Sequence, residues 1–458
     1  MYRMRQWIAA VEAELDRELA LERLLGSDAG RSPASKRITH GAPARERTTR
    51  GGPARHAVAW EEARARALDG AGRPVPVVTR ELDAALGHAL AGPLTALTDL
   101  PPFDTSARDG WAVAGPGPWR LRDGRVPAGG QPEPLDHGTA VALAAGARLP
   151  VGAGGVLRRE YGEAVAGDGM LLDRSGSPGV GGPGPGRGRD VRARGQECRA
   201  GEMLLPAGTA VTPAVVGLAA AAGHDRLVVH RRPRVELLSL GGELPESDPP
   251  RDGRVRDALG TLLPPWLARH GAEVIGRRLV ADDVGRLRDA LHGSTADVLV
   301  TTGRTDVGPV DPLHTALAES GARLLVDSVA VRPGHPMLLA ELPPSPDGRP
   351  RLLVGLPGDP LAAVAGAVTL VVPLLRRLGG HVDPDPESHR TTTASALPGH
   401  PHDTRLLPVR RGAHGIVPLP SDGPATLRGL AVADGLAVVP PGGVPAGAHV
   451  EVLDVPGL

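Results

Sequence analysis

Cysteine and lysine are nearly absent from this 458-residue chain, and aromatic residues make up only 2% of it. The single cysteine, Cys198, excludes an internal disulfide framework and a zinc site built from several cysteines, which fits a reducing compartment. Because Lys36 is the only lysine, an arginine elsewhere in the chain says little by itself about function. Basic and acidic residues balance at 52 each, so the net charge favours neither nucleic acid nor an anionic membrane as a partner.

Long hydrophobic runs are also missing. The longest nearly apolar run, residues 361–375, is shorter than the ~18 residues that a membrane span needs. Residues 1–25 are interrupted by Glu and Asp and lack the apolar core of a secretory signal. These absences predict a cytoplasmic protein without a membrane segment.

The length of the chain predicts several domains, because it exceeds the roughly 250 to 300 residues at which single hydrophobic cores stop growing. Residues 1–56 are interpreted as an extension, a helix over 7–25 followed by disorder. The rest predicts a multidomain fold of α/β and β type. Its expected parts are a mixed, partly helical domain in two segments (57–110 and 190–232), a small β-rich domain (111–189), a central three-layer α/β domain (233–380) and a C-terminal β-barrel (381–458).

Periodicity gives a coarse assignment of secondary structure. It predicts helices over 57–68 and 81–90, a helix that starts at a Thr212–Pro213 cap, and no helix after about residue 381. In the α/β domain, alternating strands and helices predict parallel βαβ units. The expected strands are 235–240, 272–280, 297–302, 322–331, 337–342 and 351–356.

The loops after these strands are the first candidates for a ligand site, because ligands of parallel α/β sheets bind beyond the carboxyl ends of the strands. In TTGRTDVGPVD, residues 301–311, glycines allow close approach of the backbone, and the carboxylates Asp306 and Asp311 could hold a hard cation. In GLPGDP, residues 355–360, Asp359 can cap the helix that Pro360 begins, so a turn with an N-cap is one interpretation and a site residue the other. Arg332 and His335 form the most plausible anion cluster, although solvated surface is the alternative.

Two of the rare aromatics, Phe103 and Trp111, lie in one stretch, LPPFDTSARDGWAV, residues 100–113. We expect them to fasten an irregular loop in which Asp109–Gly110 makes a tight turn that exposes a carboxylate. A purely structural, capping role for Asp109 is the alternative.

This stretch resembles the LPPFDNSAMDGYAV signature of the molybdopterin molybdenumtransferase family, which also includes the C-terminal part of gephyrin. Further similar segments, RDVRARGQECRAGEMLL, RRPRVELLSLGGEL, VGPVD, VRPGHP and GLPGDP, follow in the family's order, so the resemblance extends from about residue 56 to 455. It implies insertion of molybdate into adenylylated molybdopterin with release of AMP, assisted by Mg²⁺. The implied partners are a second copy of the chain, in a homodimer, and a molybdopterin adenylyltransferase.

The resemblance also implies roles for individual residues. Catalytic residues would be Asp109, supplied across the dimer interface, with Glu243 and Asp311. Ligands of Mg²⁺ would be Asp282, Asp311 and Glu243. Substrate would be bound by residues of the strand-end loops, namely Gly303, Arg332, His335, Pro357, Gly358 and Pro360.

Several positions depart from the family pattern. Leu240 and Gly242 replace a Thr and an Asp of its STGDEL motif, and the loop that corresponds to SGGVSVG carries an inserted Arg304 and Asp306. The three lysines of the family's KAKPGKP stretch become Ser328, Arg332 and His335, and the Asn of LPGNP becomes Asp359. Two hypotheses follow: a divergent but working molybdenumtransferase, or a catalytically impaired relative that binds a pterin or nucleotide or serves as a dimeric scaffold.

Overall fold

The computed structural model describes residues 57–241, 256–305, 312–345, 348–382 and 388–455, apart from 166, 180, 181, 183 and 421. The expected N-terminal helix and disorder over residues 1–56 lie outside the described residues. Within them, the chain is a mixed α/β fold with several sheets, as the sequence predicted.

The first part of the fold is a set of short antiparallel ladders. They join β1 (Val77–Glu81), β2 (Leu94–Thr95) and β3 (Thr105–Ser106) to β12 (Arg226–His230), β11 (Met203–Leu205) and β10 (Val191–Arg192), respectively. Helix α2 (Pro213–Ala221) begins at the predicted cap, where the Thr212 hydroxyl accepts from the backbone N–H of Val215 at 3.3 Å.

The helix expected over residues 81–90 is wrong. Only a 3₁₀ turn, Asp83–Ala85, forms there. Gly87 then takes a positive φ of 75°, and Ala89 and Leu90 bridge to Ala210 and Val229. Those bridges need extended backbone, which ends the helical turn.

A six-stranded sheet is inserted between β3 and β10. In the described residues its strand order is β7-β4-β6-β5-β9-β8. The strands are β4 (Gly110–Val113), β5 (Trp119–Val126), β6 (Thr139–Leu143), β7 (Gly155–Arg158), β8 (Gly162–Val165) and β9 (Met170–Asp173). Trp111 therefore lies in strand β4, packed against a buried cluster that includes Leu157 and Leu171, rather than in an irregular loop.

The central sheet has six described strands in the order β14-β13-β15-β19-β18-β16. They are β13 (Arg234–Leu240), β14 (Glu273–Val280), β15 (Val298–Thr302), β16 (Arg323–Asp327), β18 (Leu338–Leu342) and β19 (Arg351–Leu356). The prediction that all are parallel is wrong, because β18 is antiparallel to both β16 and β19. Parallel neighbours need a crossover of about a dozen residues or more, and the connections on either side of β18 are shorter and contain no described helix.

Two separate apolar clusters cover the two faces of this sheet. One contains Leu237 and the helices α1 (Trp60–Ala71), α3 (Leu259–Arg269), α6 (Pro360–Gly366) and α7 (Val372–Leu378). The other contains Leu238 and the helices α4 (Val284–Gly293) and α5 (Pro312–Glu319). Neighbouring strand residues thus bury their side chains on opposite faces, which produces three layers.

A π-helical turn, Ala367–Val371, joins α6 to α7. The resulting helical segment, Pro360–Leu378, is 19 residues long and apolar enough to cross a membrane by length and composition. However, 89% of its apolar window is buried inside the protein, so it is a core helix here.

The expected strand 322–331 is divided. After β16, Ser328 takes a φ of 101° and the chain leaves the central sheet, so that β17 (Val331–Arg332) pairs instead with β21 (Thr404–Gly412). Strand β21 belongs to the C-terminal sheet, with β20 (Ser388–Thr392), β22 (Gly415–Pro418), β23 (Gly435–Val439) and β24 (His449–Asp454). A bridge between Thr393 and Ile416 brings β20 back to β22 and closes the ring. The C-terminal region also contains one short helix that the sequence did not predict, α8 (Arg428–Val432).

Candidate functional site

Three strand ends of the central sheet meet at Gly303. Its backbone N–H donates to the carbonyl of Leu356 at 2.9 Å, which ties the end of β15 to the end of β19. A Cβ at Gly303 would lie 3.3 Å from the carbonyl oxygen of Leu240 at the end of β13, and one at Gly358 would lie 3.6 Å from Gly303 Cα. Gly303 has a φ of 86°, so its position favours glycine for both space and conformation. The predicted residues Gly303 and Gly358 therefore lie together at this edge.

The loop after β19 leads into the core helix. Pro357 is buried, Gly358 and Asp359 are exposed, and Pro360 is the first residue of α6. Asp359 occupies the N-cap position, but its side chain makes no capping hydrogen bond, so that part of the expectation is wrong. Its carboxylate adds negative charge where a helix N-terminus would otherwise favour an anion.

Asp282 lies at the same edge, just beyond strand β14. Its Oδ2 forms an ion pair with Arg304, the residue that follows Gly303. Its Oδ1 is buried and has no hydrogen-bond partner among the described residues. Arg304 was noted in the sequence only as a departure from the family pattern; its pairing with Asp282 was not predicted.

Arg332 and His335 are placed differently from each other. The Arg332 Nε donates to Asp403 of the C-terminal sheet at 2.8 Å, so its charge is already paired within the chain. The backbone carbonyl of His335 accepts from Val329 at 3.0 Å, while His335 Nδ1 is buried without a partner among the described residues. Between them, a Cβ at Gly334 would lie 3.1 Å from the carbonyl oxygen of Ala362 in α6. The loop therefore reaches the core helix, but the Arg332 guanidinium contacts the C-terminal sheet.

The magnesium site that the resemblance implies is only partly described. Glu243 and Asp311, like Asp306, lie outside the described residues, and Asp282 is paired with Arg304. In the portion of the chain that the structure describes, no three His, Cys, Asp or Glu side chains are grouped as they would be around a metal ion. The described residues do not compose a magnesium site.

Asp109 is not at this edge. It directly precedes β4 of the inserted sheet, and its half-exposed carboxylate accepts from Arg125 at 2.7 Å and more weakly from the N–H of Ala145 at 3.3 Å. Gly110 is needed next to it, because a Cβ there would lie 2.0 Å from the carbonyl oxygen of Leu157. The aspartate is thus held by a fixed backbone at the start of a strand.

The loop before Asp109 is fastened to the segment that carries Cys198. Asp104 accepts from the backbone N–H of Arg194 at 2.7 Å, and Asp99 accepts from Ala200 N–H at 2.9 Å and from the Arg194 side chain at 2.5 Å. The bond from Ala200, followed by that from Arg194, lowers the pKa of Asp99. Phe103 lies against the Arg148 guanidinium, 5.2 Å from ring centroid to Cζ. Carboxylates therefore fasten this loop as much as its aromatic residue does.

One buried network at the sheet edge was missed in the sequence. Asp257 is 5% exposed, accepts from the Ser239 hydroxyl at 2.7 Å and from Gly260 N–H at 2.8 Å, and pairs with Arg277 at 3.2 Å. It fixes the first turn of α3 to the end of β13. An Asp shortly before an apolar helical repeat was the available signal.

Together, the fold and this edge define a multidomain α/β protein whose candidate ligand site lies beyond the carboxyl ends of β13, β14, β15 and β19. Family models match three consecutive parts of the chain: "MoeA N-terminal region (domain I and II)" over residues 58–223, "Probable molybdopterin binding domain" over 236–377 and "MoeA C-terminal region (domain IV)" over 390–455.

Individual relatives agree with these models. The chain is 30% identical over 403 residues to molybdopterin molybdenumtransferase 2 of Mycobacterium tuberculosis, covering 82% of this chain and 95% of that protein. It is 31% identical over 319 residues to molybdopterin molybdenumtransferase of Nostoc, covering 66% of this chain and 69% of that protein. The crystal structure of the molybdopterin biosynthesis MoeA protein of Pyrococcus superposes with a TM-score of 0.68 at 26% identity, covering 88% of this chain and all of that one. The chain belongs to the molybdopterin molybdenumtransferase family of molybdenum cofactor biosynthesis.

Proposed function

We propose that this protein inserts molybdate into adenylylated molybdopterin and releases AMP, in the cytoplasm and as a homodimer. The observation that carries the proposal is the meeting of the β13, β15 and β19 ends at Gly303, with Asp282 and Arg304 beside it. Glycine backbone at a strand edge admits a phosphate or oxyanion closely, and the Arg304 guanidinium supplies positive charge. Polarisation of the phosphoanhydride would then come from charge placed around it.

Asp109 is proposed to complete this site from the other subunit. It directly precedes β4 of the inserted sheet, whereas Asp282 lies just beyond β14 of the central sheet, and a twofold dimer would bring the two together across the interface. Mixing Asp109→Asn protein with Asp282→Asn protein should then restore about a quarter of the wild-type activity, because mixed dimers keep one intact site. Light scattering checks the dimer itself, and a monomer at micromolar concentration would contradict it.

The function is tested by reconstitution with purified protein, adenylylated molybdopterin and molybdate, with and without magnesium, following AMP release and formation of molybdenum cofactor. The Arg323→Ala variant is a suitable control, because Arg323 pairs with Glu341 on an exposed part of the sheet away from the site. We expect wild type and control to be equally active. A protein that is a folded dimer but releases no AMP would refute the proposed enzymatic activity.

The second candidate function is that of a catalytically impaired relative that binds a pterin or nucleotide or acts as a scaffold. The pairing of Arg332 with Asp403 favours it, because the cation at a family lysine position is held by a carboxylate of the C-terminal region. Binding of AMP without turnover in the reconstitution would support this second candidate. A molybdopterin adenylyltransferase is the proposed partner in either case.

A further inference from the structure

The pair formed by Arg304 and Asp282 connects two loops at the candidate site. Arg304 has a φ of 56°, in the left-handed region that non-glycine residues rarely occupy. Its side chain is about half exposed, and the partner Asp282 is 26% exposed. A residue held in this conformation, with its guanidinium paired to the Asp282 carboxylate, indicates a position that the surrounding structure determines closely.

The strand order explains how the two residues meet. Asp282 follows β14 and Arg304 follows β15, and β13 lies between these strands in the sheet. The ion pair therefore spans the end of β13, which Gly241 follows. The guanidinium consequently lies along the edge at which the glycines gather.

The carboxylate of Asp282 already has a cationic partner, which a divalent cation arriving from solvent would have to displace. Oδ2 carries the guanidinium of Arg304, and Oδ1 is buried. Magnesium binds through oxygen ligands in a nearly ideal octahedral arrangement and keeps several waters, so it needs an accessible carboxylate oxygen. A guanidinium at the same carboxylate would also repel a divalent cation.

We propose that Arg304 takes the place of the divalent cation at Asp282, so that the site holds the anionic group of its substrate with a fixed guanidinium. Asp282 is then a positioning residue for Arg304 rather than a metal ligand. The identity of the anion, a phosphate or oxyanion, rests on the proposed function. The proposal that Arg304 excludes a metal ion from Asp282 does not depend on the proposed function.

The test is titration of Mn²⁺, followed by its electron paramagnetic resonance signal, into the full-length protein and its variants. Wild type and Arg304→Lys should show no saturable binding, because both keep a cation at Asp282. Arg304→Ala should bind Mn²⁺ at least tenfold more tightly, and Arg304→Ala combined with Asp282→Asn should lose that gain. Wild type that binds Mn²⁺ as tightly as Arg304→Ala, or Arg304→Ala that gains no binding, would overturn the proposal.

A second measurement separates this proposal from the proposed function. In metal-free buffer, calorimetric titration of AMP should give binding at least tenfold weaker for Arg304→Ala than for wild type, while Arg304→Lys stays within a few-fold of wild type. Equal AMP affinity in all three proteins would overturn the role of the guanidinium. If the wild type binds neither AMP nor molybdate, the proposed function fails while the Mn²⁺ result still decides whether Arg304 excludes the metal.

Discussion

The negative charge of Asp359 opposes the binding of an anion at the candidate site. It stands at the N-cap of α6 without making a capping bond, so replacing it with Asn should change the free energy of unfolding by less than ~0.5 kcal/mol. The same change removes a negative charge from a helix start and should tighten AMP or molybdate binding by on the order of 1 kcal/mol. Calorimetry and denaturant unfolding measure the two effects, and unchanged anion affinity would contradict the prediction.

Asp403 is a second residue whose removal should strengthen anion binding. Asp403→Asn removes the carboxylate charge that pairs with the Arg332 guanidinium, so the local field becomes more favourable to an anionic ligand. We expect several-fold tighter binding of molybdate for this variant and weaker binding for Arg332→Ala. If both variants bind molybdate as the wild type does, the guanidinium takes no part in anion binding.

For single residues, the sequence predicted where a residue lies in the fold better than which side chain it pairs with. Gly303, Gly358 and Asp282 could be placed at one edge because each follows a strand of the same sheet. The pairing of Arg332 with Asp403 joins residues 71 positions apart, which the ladder between β17 and β21 brings together, and no local pattern encodes it. The Asp282–Arg304 pair depends on which strand lies between them, which only the sheet order reveals.

Helix α1 is attached to the core helix at its π-helical turn. The Trp60 indole N–H donates to the Thr369 hydroxyl at 3.0 Å, which in turn donates to the Ala365 carbonyl at 2.7 Å, and Arg64 donates to the Val368 carbonyl at 2.6 Å. Thr369→Val keeps the shape and leaves the buried indole N–H without its acceptor, so it should cost ~1–3 kcal/mol of unfolding free energy. The control, Thr369→Ser, keeps the acceptor and should lose less in urea unfolding; equal losses would contradict this account.

Elements were predictable where the pattern was local and strong. The strands of the central sheet and the Thr212 cap follow from apolar runs and from cap chemistry. The directions of the strands and their neighbours in the sheet were not predictable, since β18 turns back through short connections and β17 joins another sheet. The helix wrongly predicted at 81–90 contains helix-forming residues, but long-range β-bridges hold part of that backbone in an extended conformation.

Two histidines, the buried His270 and the partly buried His381, make the stability of the whole molecule depend on pH. Burial, reinforced by Arg376, lowers the pKa of His270 and of His381 from 6.5 to about 4. The unfolded chain takes up these protons near pH 6.5, and the folded protein does so only near pH 4. Stability is therefore lost as the pH falls through this window, by up to about 1.4 kcal/mol per pH unit for each histidine.

This expectation is checked by urea unfolding between pH 7 and pH 4.5 for wild type and for the variant that combines His270→Gln with His381→Gln. The variant is less stable at pH 7 if the glutamine amides lack partners, so the comparison concerns the slope of stability against pH. We expect a shallower slope in the variant. If the slope of stability against pH is the same in the variant and the wild type, titratable groups other than these two histidines cause the loss of stability in acid.

The ladders β1–β12, β2–β11 and β3–β10 have a consequence for how the chain folds. Each joins segments on either side of the inserted sheet, so none can form until the ribosome has delivered the later segment. If the inserted sheet folds first, it brings β3 and β10 close together and shortens the effective loop that the other ladders must close. Long-range pairs then behave kinetically like neighbours. An insertion of this size thereby assists the assembly of the domain that it interrupts.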